Sequence, residues 1–150
     1  VDPGSASVLE IGAGTGAVTK ALLERGVAPA RLFALELDPH LAAYLRQQYP
    51  DIHVLCGNAV RLAEILPEAL RGTVSCIVSS LPLRNMRPEV RADIVTAALN
   101  ALAPCGQLIQ FTYRLRCPVP HTTAGVSTER VQRIWNNLPP ATVWRFRKTI

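Results

Sequence analysis

Five short apolar runs divide the first three quarters of the chain, at residues 8–11, 32–37, 52–55, 74–78 and 108–111. Each is nearly continuous rather than alternating, as in strands buried on both faces of a parallel sheet. Helical patterns lie between them: residues 18–25, 40–49, a weaker 61–70 interrupted by Pro67, and 89–102. In the last of these, Val90, Ile94, Val95, Ala98, Leu99 and Leu102 fall at helical spacing. Pro88 opens that helix and Pro104-Cys105-Gly106 closes it. The order βαβαβαβαβ predicts a parallel sheet with right-handed crossovers. After Thr112 the pattern changes. Residues 113–128 read as a loop, and 130–136 and 142–148 as two strands joined through "NLPPA". They predict an antiparallel terminal strand pair.

Composition narrows the class. With 150 residues, of which 49% are hydrophobic, residues 1–150 make one domain with a real core, and disorder is excluded. No apolar run reaches the ~18 residues of a membrane span, and no secretory leader is visible. Cys56, Cys76, Cys105 and Cys117 form no CxxC and lie in or beside apolar runs. They are expected to be reduced core thiols of a cytoplasmic protein, and no metal site is expected. Charge is uneven. Residues 1–80 carry 6 basic and 8 acidic side chains, and residues 81–150 carry 10 basic and 3 acidic. The basic second half predicts an anionic partner: nucleic acid, a phospholipid headgroup or an acidic metabolite.

The candidate chemistry starts at "VLEIGAGTG", residues 8–16. Gly12, Gly14 and Gly16 follow the first strand and precede a helix, where an open parallel sheet binds its ligand. Glu36 closes the second strand about 20 residues beyond the last glycine, where a carboxylate can accept from both ribose hydroxyls. Asp38 reads as the cap of the helix after Pro39. "LCGNA" ends the third strand and places Asn58 and Ala59 at the rim, where an amide oxygen can accept from an adenine amine. Together these describe an adenosine site. Glu10, just before the glycines, suits a ligand carrying an ammonium better than a pyrophosphate. S-adenosylmethionine has that ammonium, and a carboxylate that amides near a helix start can receive.

"VLEIGAGTG", "ALELDP" and "CGNA" resemble the three cofactor motifs of S-adenosylmethionine-dependent methyltransferases. The resemblance implies a Rossmann-like α/β fold: a seven-stranded, mostly parallel sheet of order 3-2-1-4-5-7-6 with helices on both faces. It implies S-adenosyl-L-methionine as cofactor, held by Glu10, Gly12, Ala13, Gly14, Gly16, Glu36, Leu37, Gly57, Asn58 and Ala59. Many relatives carry Asp where Asn58 stands. "SSLPLRNM" at 79–86, "QFTYRLRCPVP" at 110–120 and "NLPPATV" at 137–143 are similar to segments of bacterial phospholipid N-methyltransferases, which convert phosphatidylethanolamine to phosphatidylcholine. Arg84 and Cys105 depart from that pattern, where an apolar residue and Gly are expected.

By that resemblance Tyr113, Arg116 and Ser80 serve the reacting end, and Leu81, Pro82, Asn85 and Arg114 hold the acceptor. Arg114 and Arg116 are suited to a lipid phosphate, and Tyr113 to a methylated ammonium. The expected partner is a phospholipid or an anionic membrane surface. The full-length protein is expected in the cytoplasm, peripheral to the inner membrane. Relatives carry an amphipathic N-terminal helix, and no such segment is read before Val8. One alternative is an rRNA adenine dimethylase. Those enzymes follow the fourth strand with Asn-Leu-Pro and an aromatic ring that stacks on the flipped base. Here the segment is Ser80-Leu81-Pro82-Leu83, which disfavours a nucleic-acid substrate. The other alternative is a non-catalytic adenosine-binding module.

Overall fold

The computed structural model describes residues 6–112, 117, 126–134 and 141–148. Its seven strands are β1 (Val8–Ile11), β2 (Leu32–Glu36), β3 (His53–Cys56), β4 (Val74–Ser79), β5 (Leu102–Thr112), β6 (Val126–Ile134) and β7 (Ala141–Lys148). Four α-helices join the first five: α1 (Ala17–Glu24), α2 (Pro39–Gln48), α3 (Leu62–Ile65) and α4 (Pro88–Ala101). The strands form one sheet in the order β3-β2-β1-β4-β5-β7-β6. The pairs among β1–β5 are parallel, and β7 runs antiparallel to both β5 and β6. This is the seven-stranded, mostly parallel order that the resemblance implies, with the antiparallel terminal pair read from the sequence. The order reverses between β1 and β4, which opens a crevice at their carboxyl ends.

Two apolar layers hold helices to the faces. Leu9, Ile11, Leu35, Ile77, Leu108 and Phe146 pack with Ile94, Val95 and Ala98 of α4 and Leu62 of α3. On the opposite face Val8, Leu32, Ala34 and Val78 pack with Leu45 of α2 and with Val18 and Leu22 of α1. Successive strand residues face opposite layers, so near-continuous apolar runs are what both layers require. The weak 61–70 pattern becomes two 3₁₀ turns, Ala59–Arg61 and Glu68–Leu70, flanking the single turn of α3. Pro67 lacks an amide donor and stops the helix from continuing.

The largest departure from the predicted bounds is β5. Its pairing with β4 jumps from Val74–Leu102 to Cys76–Gln107, so residues 103–106 loop out of the ladder. Cys105 takes φ +65° at the crest. At Gly106 a Cβ would lie 2.9 Å from the Ala103 carbonyl oxygen and 3.0 Å from that of Val74, so the bulge closes only on glycine. The expectation of core thiols is corrected here. Cys56 and Cys105 are exposed, and Cys76 and Cys117 are half-buried. Cys56 ends the edge strand β3, and the bulge turns Cys105 outward. Trp144 packs in the α4 layer.

Candidate functional site

The glycine turn is built by backbone geometry that side chains disfavour. Gly12, Gly14 and Gly16 have φ of +79°, +57° and +89°. The Gly12 and Ala13 amides donate to the Leu35 carbonyl at 2.9 and 3.3 Å, fastening the turn to β2. Each glycine has its own reason. A Cβ on Gly12 would meet Leu81 Cδ2 at 2.7 Å, and one on Gly16 would meet Tyr49 Cε2 at 2.7 Å. A Cβ on Gly14 would meet nothing within 4 Å, so there only the positive φ favours glycine. Tyr49, which the sequence reading did not single out, also donates its hydroxyl to the Gly16 carbonyl at 3.3 Å. A lone tyrosine after a helix carries no signal of that contact.

Glu36 gathers the turn and the second strand. Its Oε2 accepts from the Gly14 amide at 2.7 Å and its Oε1 from the Asp38 amide at 3.0 Å. It is buried at 8% exposure, and each oxygen keeps a lone pair for a ribose hydroxyl. Asp38 caps α2, accepting from His40 and Leu41 as expected. Gly57 has no room for a side chain, since a Cβ there would reach Ile65 Cδ1 at 2.5 Å. The Asn58 oxygen accepts from the Val60 amide at 3.0 Å, so one lone pair is spent on starting the 3₁₀ turn. Only the other remains for an adenine amine.

Glu10 lies beneath the turn, fully buried. Thr19 donates to its Oε2 at 2.5 Å, and among the described residues its Oε1 has no partner. Burial pushes its carboxyl from the ordinary 4.5 up to about 7, the hydrogen bonds to Thr19 oppose the rise, and the charge of Glu36 adds to it. An unpaired buried carboxylate oxygen of this kind costs about 1–3 kcal/mol or more, and a cationic ligand group removes that cost. α1 begins at Ala17 with no side-chain cap, and with the Thr19 amide bonded to Glu10 the amides of Ala17 and Val18 remain for an anion. Ammonium, carboxylate and ribose diol are the three polar ends of S-adenosylmethionine, so these residues fit it.

The cleft over the strand ends holds about 420 Å³, within the size range of small-molecule pockets. Its cofactor half is lined by Gly12, Glu36, Leu37, Gly57, Asn58 and Ala59, whereas Glu10, Ala13, Gly14 and Gly16 do not line it. Its other half is lined by Ser80, Leu81, Pro82, Met86, Val90 and Ile94. Ser80, Leu81 and Pro82 thus line this cleft, and Asn85 does not. Asn85 sits exposed in a 3₁₀ turn, Leu83–Asn85, whose curl turns it away. Val90 and Ile94 were missed because their four-residue spacing reads as helix core, and one turn of that face meets the cleft instead; Met86, two residues before α4, was read only as part of the segment 79–86. Tyr113, Arg114 and Arg116 lie outside the described residues. Among the described residues, no three His, Cys, Asp or Glu side chains gather into a metal site, and no helix is long and apolar enough to cross a membrane.

Comparison with known proteins agrees with this geometry. The family described as "Methyltransferase domain" matches residues 8–106. The chain is 32% identical to an ornithine lipid N-methyltransferase of Singulisphaera acidiphila, over 70% of this chain and 56% of that protein. It is 41% identical to a probable ribosomal RNA small subunit methyltransferase A of Halobacterium salinarum, over 72% of this chain and 34% of that one. The matches therefore span about half or less of those relatives' lengths. Among solved structures, the N-methyltransferase NodS of Bradyrhizobium japonicum, in complex with S-adenosylhomocysteine, superposes with TM-score 0.75 at 19% identity. That match covers 97% of this chain and 79% of NodS.

Proposed function

The chain belongs to the S-adenosylmethionine-dependent methyltransferase family, and on that premise we propose that its acceptor is the amine of a phosphatidylethanolamine-type lipid. The observation that carries the reading is the acceptor half of the cleft. Leu81, Pro82, Met86, Val90 and Ile94 give it an apolar wall that continues directly from the ribose carboxylate Glu36. An acyl-bearing amine can lay its chain on such a wall, whereas a nucleobase needs a flat ring to stack on. Leu83 stands where dimethylases, by the resemblance, carry that ring, and it is buried at 3% exposure in the α4 layer. The ornithine lipid enzyme, a lipid N-methyltransferase, supports the same substrate class. Association with an anionic membrane surface, through the basic second half, is part of this proposal.

The cofactor supplies an electrophilic methyl on a sulfonium. The protein's task is to bind, to orient an amine in line with that methyl, and to exclude water. Glu36 and the glycine turn fix one end. Glu10 supplies a buried negative group whose charge a cationic ligand stabilises. Ser80 and Leu81, at the exit of β4, stand at the junction of the two halves. A primary amine of this kind titrates near pH ~10, so at neutral pH it arrives mostly as ammonium. Only the neutral form attacks, and turnover should rise with pH through the neutral range, by up to about tenfold per unit.

The test presents methyl-labelled S-adenosylmethionine with vesicles containing phosphatidylethanolamine, with ornithine lipid, and with small-subunit ribosomal RNA. Label in phosphatidylethanolamine supports the proposal. Label in ornithine lipid alone replaces the headgroup, and label in RNA alone overturns the lipid reading.

A further inference from the structure

Gln110 sits at the exit of β5, 1% exposed. It stands in register with Ser79 on β4 and with Trp144 on β7. Paired strand residues share a face, so the three form one row across the sheet on the α4 side. The row one step deeper, Leu9, Ile77, Leu108 and Phe146, is wholly apolar and at most 2% exposed. At the rim Ile11 continues the apolar row on β1, but the three positions on β4, β5 and β7 carry polar atoms, and among the described residues Ser79 Oγ, Gln110 Oε1 and Trp144 Nε1 are all buried without a partner. A buried amide with an unsatisfied oxygen is disfavoured at a position that an aliphatic residue would fill at no such cost. Its donors show what it does there. Gln110 Nε2 donates to the Leu81 carbonyl at 2.9 Å and to the Phe111 carbonyl at 2.7 Å. One buried amide thereby ties the segment that lines the acceptor half of the cleft to the end of the fifth strand. Arg84 Nη1 reaches the Cys117 carbonyl at 3.4 Å, a second tie between the same two exits.

We propose that Gln110 is a positioning residue for the acceptor: its amide fixes the Leu81 carbonyl, and with it Ser80 and Pro82, against β5. It acts on the acceptor more than on the cofactor, because Glu36 and Asn58 are held by other contacts and the Gly12 and Ala13 amides by the Leu35 carbonyl, although Leu81 also packs against Gly12. The proposal rests on the reading that the acceptor enters over the exits of β4 and β5, and does not require that acceptor to be a lipid.

Two variants test it. Gln110→Met keeps the length and removes both donors. It should bind S-adenosylhomocysteine within about twofold of the parent by calorimetry. It should lose at least about tenfold in kcat/KM toward the amine that the parent methylates best, mainly in kcat. Gln110→Glu can donate one hydrogen bond while protonated, and burial raises the pH at which it ionises. Once ionised, it sets a negative charge against two carbonyl oxygens, so its activity relative to the parent should fall as pH rises. Hydrogen exchange of the protein bound to S-adenosylhomocysteine needs no acceptor. Amides of residues 80–86 should exchange faster in Gln110→Met, and those of 10–16 should not. Unchanged exchange at 80–86, cofactor affinity falling in step with turnover, or a pH-independent Gln110→Glu ratio would each overturn the proposal. Failure of the lipid reading would appear only in the labelling experiment and would leave the exchange result standing.

Discussion

Replacing Glu10 by glutamine should change how stability depends on pH. Glu10 is fully buried, and burial is the main cause that lifts its carboxyl from 4.5 to about 7. The folded protein therefore holds a proton that the unfolded chain releases. Below pH 4.5 both states are protonated and the folded state keeps its full stability. As pH rises through about 7 that stability is lost, because the unfolded carboxylate ionises freely and the buried one does not. At ~1.4 kcal/mol per pH unit, the span from 4.5 to about 7 gives a loss of roughly 3 kcal/mol. Water entering around the ionised group lowers this, so it is an upper bound. Glu10→Gln has no such charge. Its amide group adds a pH-independent cost of about 1–3 kcal/mol if its donors go unpaired. The informative quantity is therefore the change in the difference between variant and parent. Between about pH 5 and 8, without ligand, the variant should gain on the parent by up to roughly 3 kcal/mol. Urea unfolding across that range measures it. A difference that stays flat with pH would refute the reasoning. At pH 8 the same variant should bind S-adenosylhomocysteine more weakly, so stability and affinity should move in opposite directions.

Glu36→Ala removes the acceptor of two backbone amides and the proposed partner of the ribose, and should weaken S-adenosylhomocysteine binding by about 1.5–3 kcal/mol per bond lost to a charged group. Unchanged affinity by calorimetry would remove Glu36 from the site. Cys105→Gly should stabilise the protein by about 1 kcal/mol, because φ +65° is strained for any side chain. Its thermal midpoint should rise by roughly 2–4 °C for a domain of this size, and a fall would mean that the Cys105 side chain makes a contact worth more than the strain. Gly16→Ala adds that same backbone strain to a contact of 2.7 Å with Tyr49, and should cost well over about 1–2 kcal/mol. Denaturant unfolding checks it, and a neutral result would mean that the turn opens freely.

The sequence by itself determined the sheet. Runs such as 74–78 are apolar on both faces, and only a strand covered on both sides satisfies that, so parallel order and helix placement followed from periodicity. It also determined the cofactor end. The features proposed there, the positive φ of Gly12, Gly14 and Gly16 and the carboxylate of Glu36 at a strand end, are carried by residue type and spacing. The tertiary structure decided the rest, because those contacts join residues far apart in the chain. Nothing local to Tyr49 says that it packs on Gly16, or to Gln110 that its amide holds Leu81, 29 residues earlier. Val90 and Ile94 have the spacing of core residues whether their turn meets another helix or an open cleft. Cys105 reads as an apolar thiol until the bulge gives it a positive φ and turns it to solvent. Spacing sets which face of an element a residue occupies, but only packing decides what that face meets.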